Sequence, residues 1–112
     1  MKRIYIAGPY SGPTIWDVQQ NVNQAKIMAS NIIDLGHAPF CPHLSHYIEV
    51  KFPKPYLTWL EIDNEFVKVC DALIRIPGAS SGSDKEVALA ESLGIPVFFE
   101  LQDLIEYLSP IA

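Results

Sequence analysis

Short apolar runs alternate with longer helical segments along this chain, and that alternation constrains its fold more than any other feature. The predicted strands are residues 3–8, 37–42, 71–78 and 95–100. The predicted helices, which carry apolar residues at helical spacing, are residues 14–36, 56–70, 83–94 and 101–108. Strands that alternate with helices indicate a parallel sheet covered on both faces. We therefore predict a small doubly wound α/β domain, flavodoxin-like or Rossmann-like, with four to five strands.

The segment between the second strand and the second helix is the exception to this pattern. Residues 43–55 are predicted to be irregular, because Pro53 and Pro55 exclude a long regular element there. With 112 residues, the chain has room for one domain, 1–112, and one modest core.

Charge and cysteine content exclude several classes of protein. The formal net charge is −5 and the eight Lys and Arg residues are scattered, so a surface that binds a nucleic-acid polymer is not expected. Cys41 and Cys70 are far apart and suit reduced thiols in a cytosolic protein. The first apolar run breaks at Gly8 and Pro9, too early for a signal peptide or a membrane span. We predict a cytoplasmic protein that does not bind membranes.

Ligands of parallel α/β sheets bind beyond the carboxyl ends of the strands, which here are the loops after Ala7, Phe40 and Ile76. In the first loop, "AGPYSGP", glycine lets the backbone approach a ligand, and Tyr5 and Tyr10 bring hydroxyl groups. The loop lacks GxGxxG and a Walker A lysine, which disfavours dinucleotides and nucleoside triphosphates. The alternative is a strand followed by a tight turn, with Tyr5 in a packing role.

The loop after Ile76, "PGASSGSDKE", offers a site for an anion. Its serines precede a predicted helix, whose free N–H groups and positive dipole end favour negative charge. The same residues have a purely structural interpretation, because Ser83 and Glu86 have the spacing of a capping box. Glu86 is therefore either a helix cap or a reactive carboxylate.

Asp63, on the preceding predicted helix, is a candidate for a second carboxylate in the same cleft. Two converging carboxyl groups divide the work of attack and proton transfer. The alternative is an ordinary solvated acid beside Glu61 and Glu65. Asp71, at the start of the third strand, is predicted to be a cap or turn residue.

Cys41, His43 and His46 form a C-x-H-x-x-H string that resembles part of a zinc site. It supplies three ligands on an irregular loop, with no fourth at a recognised spacing. We predict no metal and no cofactor, and we expect His43 either to line the ligand cleft as a polar group or to have no role beyond loop structure.

Four stretches together resemble the nucleoside 2-deoxyribosyltransferase-like superfamily. They are "IYIAGPYSG", "GHAPFCPH", "DNEFVKVCDALIR" and "SSGSDKEVALAESLGIPV". They occur in the family's order and span nearly the whole chain. Within the superfamily the chain is most similar to the compact 2′-deoxynucleoside 5′-phosphate N-hydrolases and to small uncharacterised phage and bacterial relatives.

The resemblance implies a role for each matching residue. Ser80-x-Gly82-x-x-x-Glu86 has the spacing of the family's nucleophile motif, which makes Glu86 the nucleophile. Asp63 stands eight positions before Asp71, like the family's helix aspartate, and would help to protonate the leaving base. Tyr5 would orient Glu86. The residues expected to bind substrate are Gly8, Pro9, Tyr10, Ser11, His43, Ser80, Gly82 and Ser83.

Two departures from the family pattern bear on the substrate and on the nucleophile. Pro9-Tyr10-Ser11 stands where the N-hydrolases carry an arginine in the first loop, and Asp84-Lys85 replaces a glycine and an aromatic residue. We expect the like charge of Asp84 to raise the pKa of Glu86.

The resulting prediction is hydrolysis of the N-glycosidic bond of a (deoxy)nucleoside 5′-monophosphate through a glutamate glycosyl-enzyme intermediate. The alternatives are a nucleoside deoxyribosyltransferase and a nucleotide-binding domain without turnover. The expected partners are a nucleoside or nucleoside monophosphate and a second copy of the chain. Residues 104–112, "LIEYLSPIA", are apolar enough to pack against that copy.

Overall fold

A four-stranded parallel sheet forms the centre of residues 1–109, the part of the chain that the computed structural model describes. The strands are β1 (Arg3–Ala7), β2 (Ala38–Phe40), β3 (Ala72–Arg75) and β4 (Val97–Phe98). Their order across the sheet is β2-β1-β3-β4, and all three pairings are parallel. The predicted doubly wound α/β fold is confirmed, with four strands.

Helices connect and cover the strands. They are α1 (Ile15–Asp34), α2 (His46–Glu49), α3 (Tyr56–Val67), α4 (Ser81–Ser92) and α5 (Leu101–Leu108). The segment predicted to be irregular contains a 3₁₀ turn, Pro42–Ser45, followed by the single-turn helix α2. Within residues 1–109, no helix is both long enough and apolar enough to cross a membrane.

The start of α4 differs from the prediction. Ser80 is the N-cap, and its Oγ accepts a hydrogen bond from the Ser83 N–H at 3.1 Å. Glu86 therefore lies in the second turn, too far along the helix to bond to the cap, so the alternative of a capping box between Ser83 and Glu86 is wrong. Ser83, Glu86 and Ala90 lie on the buried face of α4. A capping box does occur at α1, between Thr14 and Asp17.

The two faces of the sheet have separate cores, because successive side chains of a strand point to opposite faces. Ile4 and Ile6 of β1 pack in a cluster with residues of α1 and α5. Tyr5 and Ala7 point to the other face, where Ala90 of α4 contributes to their cluster. Tyr5 is thus fully buried on the α4 side of the sheet.

The C-terminal helix belongs to the first of these cores. Leu104 is fully buried there, and Leu108 packs against the same cluster. These two apolar side chains of the stretch 104–112 therefore pack within their own chain. Residues 110–112, on which the predicted contact with a second copy partly depends, lie outside the described residues.

The strand order places a crevice between β1 and β3. The chain leaves β1 for β2 on one side and then crosses to β3 on the other side, so the loops that follow β1 and β3 diverge. Ligands of open α/β sheets bind at such a switch point. The first turn beyond β1 is tight, because a Cβ on Gly8 would lie 2.9 Å from the Ile76 Cβ.

Replacing Gly8 with alanine should lower the free energy of unfolding by about 1–3 kcal/mol, since the new methyl group meets a Cβ atom that is attached directly to the backbone. Urea unfolding would measure the change. Gly82→Ala is the matched control: its nearest contact is the hydroxyl end of the exposed Tyr56 side chain, which can move aside. An equal loss of stability in both variants would contradict this account of Gly8.

Candidate active site

Three loops at the carboxyl ends of the strands surround a cavity of about 500 Å³, as the sequence predicted. The loops contribute Gly8, Tyr10, Ser11, Pro42, His43, Ser45 and residues 79–83. One face of α3 and the segment before it add Glu49, Lys54, Tyr56, Trp59, Leu60 and Asp63, and α4 adds Glu86. The cavity thus contains both candidate carboxylates and the serine-rich start of α4.

Glu86 is a buried acid whose carboxyl group is hydrogen-bonded to Tyr5. Its side chain is 7% exposed, and its Oε2 accepts a hydrogen bond from the Tyr5 hydroxyl. Burial raises the pKa of Glu86 to about 8. The Tyr5 hydroxyl acts in the opposite direction on this pKa, because it donates to the charged form of the carboxyl group.

Asp84 does not act on Glu86 in the way that we expected. The Asp84 side chain is 72% exposed, and its Oδ1 accepts a hydrogen bond from Arg75 Nη2 at 3.0 Å. The pKa of Glu86 is raised, but burial is the cause and the like charge of Asp84 is not. Solvent and the guanidinium group screen the Asp84 charge.

Asp63 differs from its acidic neighbours in its surroundings. Glu61 and Glu65 are exposed, whereas Asp63 is partly buried and lines the cavity. Burial raises the pKa of Asp63 to about 6. The alternative of a solvated surface acid is therefore wrong. Asp71, by contrast, is a turn residue, with its carboxylate accepting from the Arg3 N–H at 2.7 Å.

The N-terminus of α4 has the groups that an anion needs. The N–H groups of Ser81 and Gly82 precede the first intrahelical bond and have no helical partner. The Ser80 hydroxyl donates to Ser83 Oγ at 2.9 Å, which leaves the Ser83 hydroxyl proton available as a donor. Glycine at position 82 makes room for the Tyr56 hydroxyl, which would lie 2.9 Å from a Cβ there.

His43 holds the first loop through hydrogen bonds to the loop backbone. Its Nε2 lies 3.0 Å from the Gly8 carbonyl oxygen and 3.1 Å from that of Pro9. Carbonyl groups only accept, so Nε2 carries the proton and Nδ1 is left as an acceptor. Burial lowers the pKa of His43, which favours this neutral form. His43 both lines the cavity, as predicted, and holds the loop.

Of the other residues predicted for the site near the first loop, only some line the cavity. Tyr10 lines the cavity with its hydroxyl 2.7 Å from His46 Nδ1, and the Tyr10 carbonyl accepts from Asn21 Nδ2 at 3.0 Å. Pro9 instead packs against Gly78 and is not part of the cavity wall. Tyr5 lies behind Glu86 and is likewise outside the wall.

The three side chains of the C-x-H-x-x-H string do not meet. Cys41, His43 and His46 each contact different groups. Cys41 is a buried free thiol, His43 faces the first loop and His46 faces Tyr10. Within residues 1–109, no three His, Cys, Asp or Glu side chains are grouped in a way that could hold a metal ion.

Sequence reasoning missed part of the cavity wall. Trp59 donates from Nε1 to Glu49 Oε2 at 2.7 Å, and both residues line the cavity with Tyr56 and Leu60. Together with Asp63, the α3 residues have the i, i+3, i+4, i+7 spacing of one helix face. Once Asp63 is placed in the site, this spacing alone predicts that Tyr56, Trp59 and Leu60 lie on the same helix face.

Residues 2–100 match the model of a family described as a domain of unknown function, DUF7768. The chain belongs to the DUF7768 family. No curated protein sequence matches this DUF7768 domain significantly.

Two solved structures are similar to the DUF7768 domain. One is a 2-deoxyribosyltransferase from Bacillus psychrosaccharolyticus, with a TM-score of 0.66 and 23% identity over 89% of this chain and 78% of that protein. The other is a 2-desoxiribosyltransferase from Leishmania mexicana, with a TM-score of 0.64 and 18% identity over 87% of this chain. This chain spans only 62% of the Leishmania protein. The resemblance to the nucleoside 2-deoxyribosyltransferase-like superfamily is confirmed as a likeness of fold.

The raised pKa of Glu86 makes stability depend on pH in a defined direction. The folded protein holds the Glu86 proton up to about pH 8, whereas in the unfolded chain the carboxyl ionises near 4.5. This contribution to stability is complete below about pH 4.5 and is lost as pH rises to about 8. Glu86→Gln keeps the acceptor for Tyr5 and cannot ionise. Its free energy of unfolding relative to wild type should therefore rise by about 1–3 kcal/mol from pH 5 to 8.

Denaturant unfolding at several pH values would measure this difference. Asp63 titrates in both proteins, so the difference between them isolates Glu86. A difference that does not change with pH would show that Glu86 is not a buried acid with a raised pKa.

Proposed function

We propose that this protein cleaves the N-glycosidic bond of a (deoxy)nucleoside 5′-monophosphate, with Glu86 as the nucleophile. The observation that carries the proposal is the position of Glu86, buried in the cavity wall and held by Tyr5. A second carboxyl group, Asp63, and the N-terminus of α4 line the same cavity. The fold shared with two 2-deoxyribosyltransferases supports the same class of chemistry.

In the first step the Glu86 carboxylate attacks C1′ of the sugar. The C1′–N bond breaks, its electron pair stays with the base, and Asp63 gives the base a proton. The product is an ester between Glu86 and the sugar. The transition state resembles an oxocarbenium ion, as in glycosidases that use two carboxyl groups. Tyr5 keeps Glu86 in one orientation throughout.

In the second step water attacks C1′ of the ester and Glu86 leaves as a carboxylate. Asp63, now ionised, takes the proton that water gives up. Both carboxyl groups thereby return to their starting states, and the free base and the sugar 5′-phosphate are the products.

The protonation states of the empty site affect this mechanism. Reaction needs Glu86 ionised and Asp63 protonated, whereas burial places the Glu86 pKa at about 8 and the Asp63 pKa at about 6. The reactive form is thus a minor one in the empty site at neutral pH. Positive charge that develops at C1′ favours the ionised Glu86, so the required form becomes favourable as the bond breaks.

The phosphate group is assigned to the start of α4. Residues 81–83, which line the cavity, offer two backbone N–H groups without helical partners, the Ser83 hydroxyl and the positive end of the helix dipole. Ser80 is uncharged, so nothing at this position repels a phosphate that carries about −1.5 to −2 charges at neutral pH.

Two other functions have specific support. The similar structures are 2-deoxyribosyltransferases, which favours release of the Glu86 ester to a second base in place of water. The high pKa of Glu86 favours a nucleotide-binding domain without turnover. Base exchange on addition of a second free base would favour the transferase, and bound nucleotide without base release would favour the binding domain. The cytoplasmic location and the homodimer stay predictions.

The central test is a panel of nucleosides and nucleoside monophosphates, scored for free base by chromatography. Glu86→Gln should lower the rate of base release at least ~10³-fold, because it removes the attacking charge and keeps the shape. Glu91→Gln, at an exposed glutamate of the same helix, is the matched control and should leave the rate unchanged within about twofold. Wild-type turnover in the Glu86→Gln variant would rule out the nucleophile.

Ser80 tests the phosphate assignment. Ser80→Asp preserves the helix cap, since aspartate caps as well as serine, but adds a negative charge at the anion site. It should raise KM for the monophosphate about tenfold or more, a cost of about 1.4 kcal/mol. Ser80→Asn caps equally well without charge and should change KM by less than about threefold. A wild-type preference for unphosphorylated nucleosides would contradict the assignment and favour the transferase.

A further inference from the structure

Arg75 is a buried cation that the mechanism does not use. Of the lysines and arginines in residues 1–109, it alone is buried, with 8% of its surface exposed. It is the last residue of β3 and points to the face that carries Tyr5 and α4. A buried arginine is costly unless its donors are paired.

The guanidinium group of Arg75 is paired with three acceptors, two in the loop between β3 and α4 and one in the first turn of α4. Nη1 donates to the Ile76 carbonyl oxygen, and Nη2 donates to the Gly78 carbonyl oxygen at 2.8 Å. Nη2 also donates to Asp84 Oδ1 at 3.0 Å. One rigid group thus connects the start of the loop with the first turn of α4.

These contacts fix the direction of the peptide groups that precede the anion site. In a trans peptide the carbonyl and the following N–H point in opposite directions, so the Ala79 N–H points away from Arg75. Ala79 itself lines the cavity. The Gly78 carbonyl, which would repel an anion, is held at the guanidinium group. Gly78 has a φ of 127°, a conformation open to glycine, and packs closely against Pro9 of the first loop.

Geometry, and not added positive charge, is what Arg75 supplies. It is not part of the cavity wall, and its charge is matched by that of Asp84. The planar fork presents Nη1 and Nη2 at fixed positions to these acceptors, whereas the ammonium group of lysine is a single nitrogen with rotatable donors on a flexible stem.

We propose that Arg75 is a positioning residue that holds residues 76–84 in the form that binds the 5′-phosphate. This inference rests on the proposed function, because it concerns the phosphate subsite of the same cavity. Arg75 sets the affinity for the phosphate and leaves the chemistry at Glu86 unaltered.

Arg75→Lys keeps the charge and removes the fork. With 2′-deoxyadenosine 5′-monophosphate as substrate, KM should rise about tenfold or more and kcat should change by less than about threefold. KM for 2′-deoxyadenosine should stay within about twofold of wild type. Amide hydrogen exchange of residues 79–83 in the unliganded protein should become about tenfold faster, with no change in β1. Arg3→Lys is the same substitution at the amino end of β1, at the end of the strands away from the cavity, and should change none of these quantities.

Asp84→Asn provides a second test at an exposed side chain, where loss of folding is not expected. Removing a negative charge beside a phosphate site would tighten binding if charge alone mattered. Asparagine keeps an acceptor oxygen for Arg75 but lacks the charge, so the weaker anchor of the guanidinium group should instead raise KM for the monophosphate about two- to threefold. A lower KM in Asp84→Asn would overturn the proposal.

The remaining outcomes separate this inference from the proposed function. If wild type releases no base, the proposed enzyme activity fails, and calorimetric affinity for the same monophosphate replaces KM. Unchanged loop exchange or unchanged monophosphate affinity in Arg75→Lys overturns the role of Arg75 while leaving Glu86 untouched. Equal losses for the nucleoside and the monophosphate would make Arg75 a general folding residue and would also overturn it.

Discussion

The contact between Tyr5 and Glu86 is the interaction on which the rest of the site depends. It joins the central strand β1 to the second turn of α4 inside the protein, where an unpaired carboxyl group would be costly. Tyr5 is itself fixed, because it is fully buried and stacks on Phe40 with ring centroids 5.5 Å apart. Phe40 in turn stacks on Phe66 of α3 at 4.0 Å. The position of Glu86 therefore depends on the packing of β1, β2 and α3 as well as on its own helix.

The loops around the cavity are held by the same means, a buried side chain that bonds to backbone carbonyl groups. His43 holds the first loop through the carbonyls of Gly8 and Pro9, and Arg75 holds the loop before α4 through those of Ile76 and Gly78. In both cases the carbonyl oxygens accept hydrogen bonds from a side chain that lies beneath the loop. Sites whose loops are supported in this way lose little freedom when a ligand binds. The two loops also touch, since Pro9 packs against Gly78.

Much of the fold could be predicted because it depends on patterns that are local in sequence. Alternating strands and helices predicted the parallel sheet, and the rule that ligands bind at the carboxyl ends of strands predicted the three loops of the cavity. The residue at which α4 begins could not be predicted from local patterns. Ser80 and Ser83 are both competent caps, and in the folded protein Ser80 is the cap while Ser83 is buried with Glu86 on one helix face. The cause of the raised pKa of Glu86 was also out of reach, because burial of that side chain depends on the packing of distant elements. The sequence likewise did not show that Asp84 pairs with an arginine from another element.

The sequence by itself determined the class of fold, the edge of the sheet where the cavity lies and the acidic and hydroxyl side chains available there. These follow from residue type and periodicity, which act over a few residues. Only the tertiary structure decided which carboxyl groups are buried, that Tyr5 donates to Glu86, and that Trp59 and Arg75 belong to the surroundings of the cavity. The physical reason is that desolvation and hydrogen bonding depend on contacts between residues far apart in the chain, such as Tyr5 and Glu86, which are separated by 81 positions.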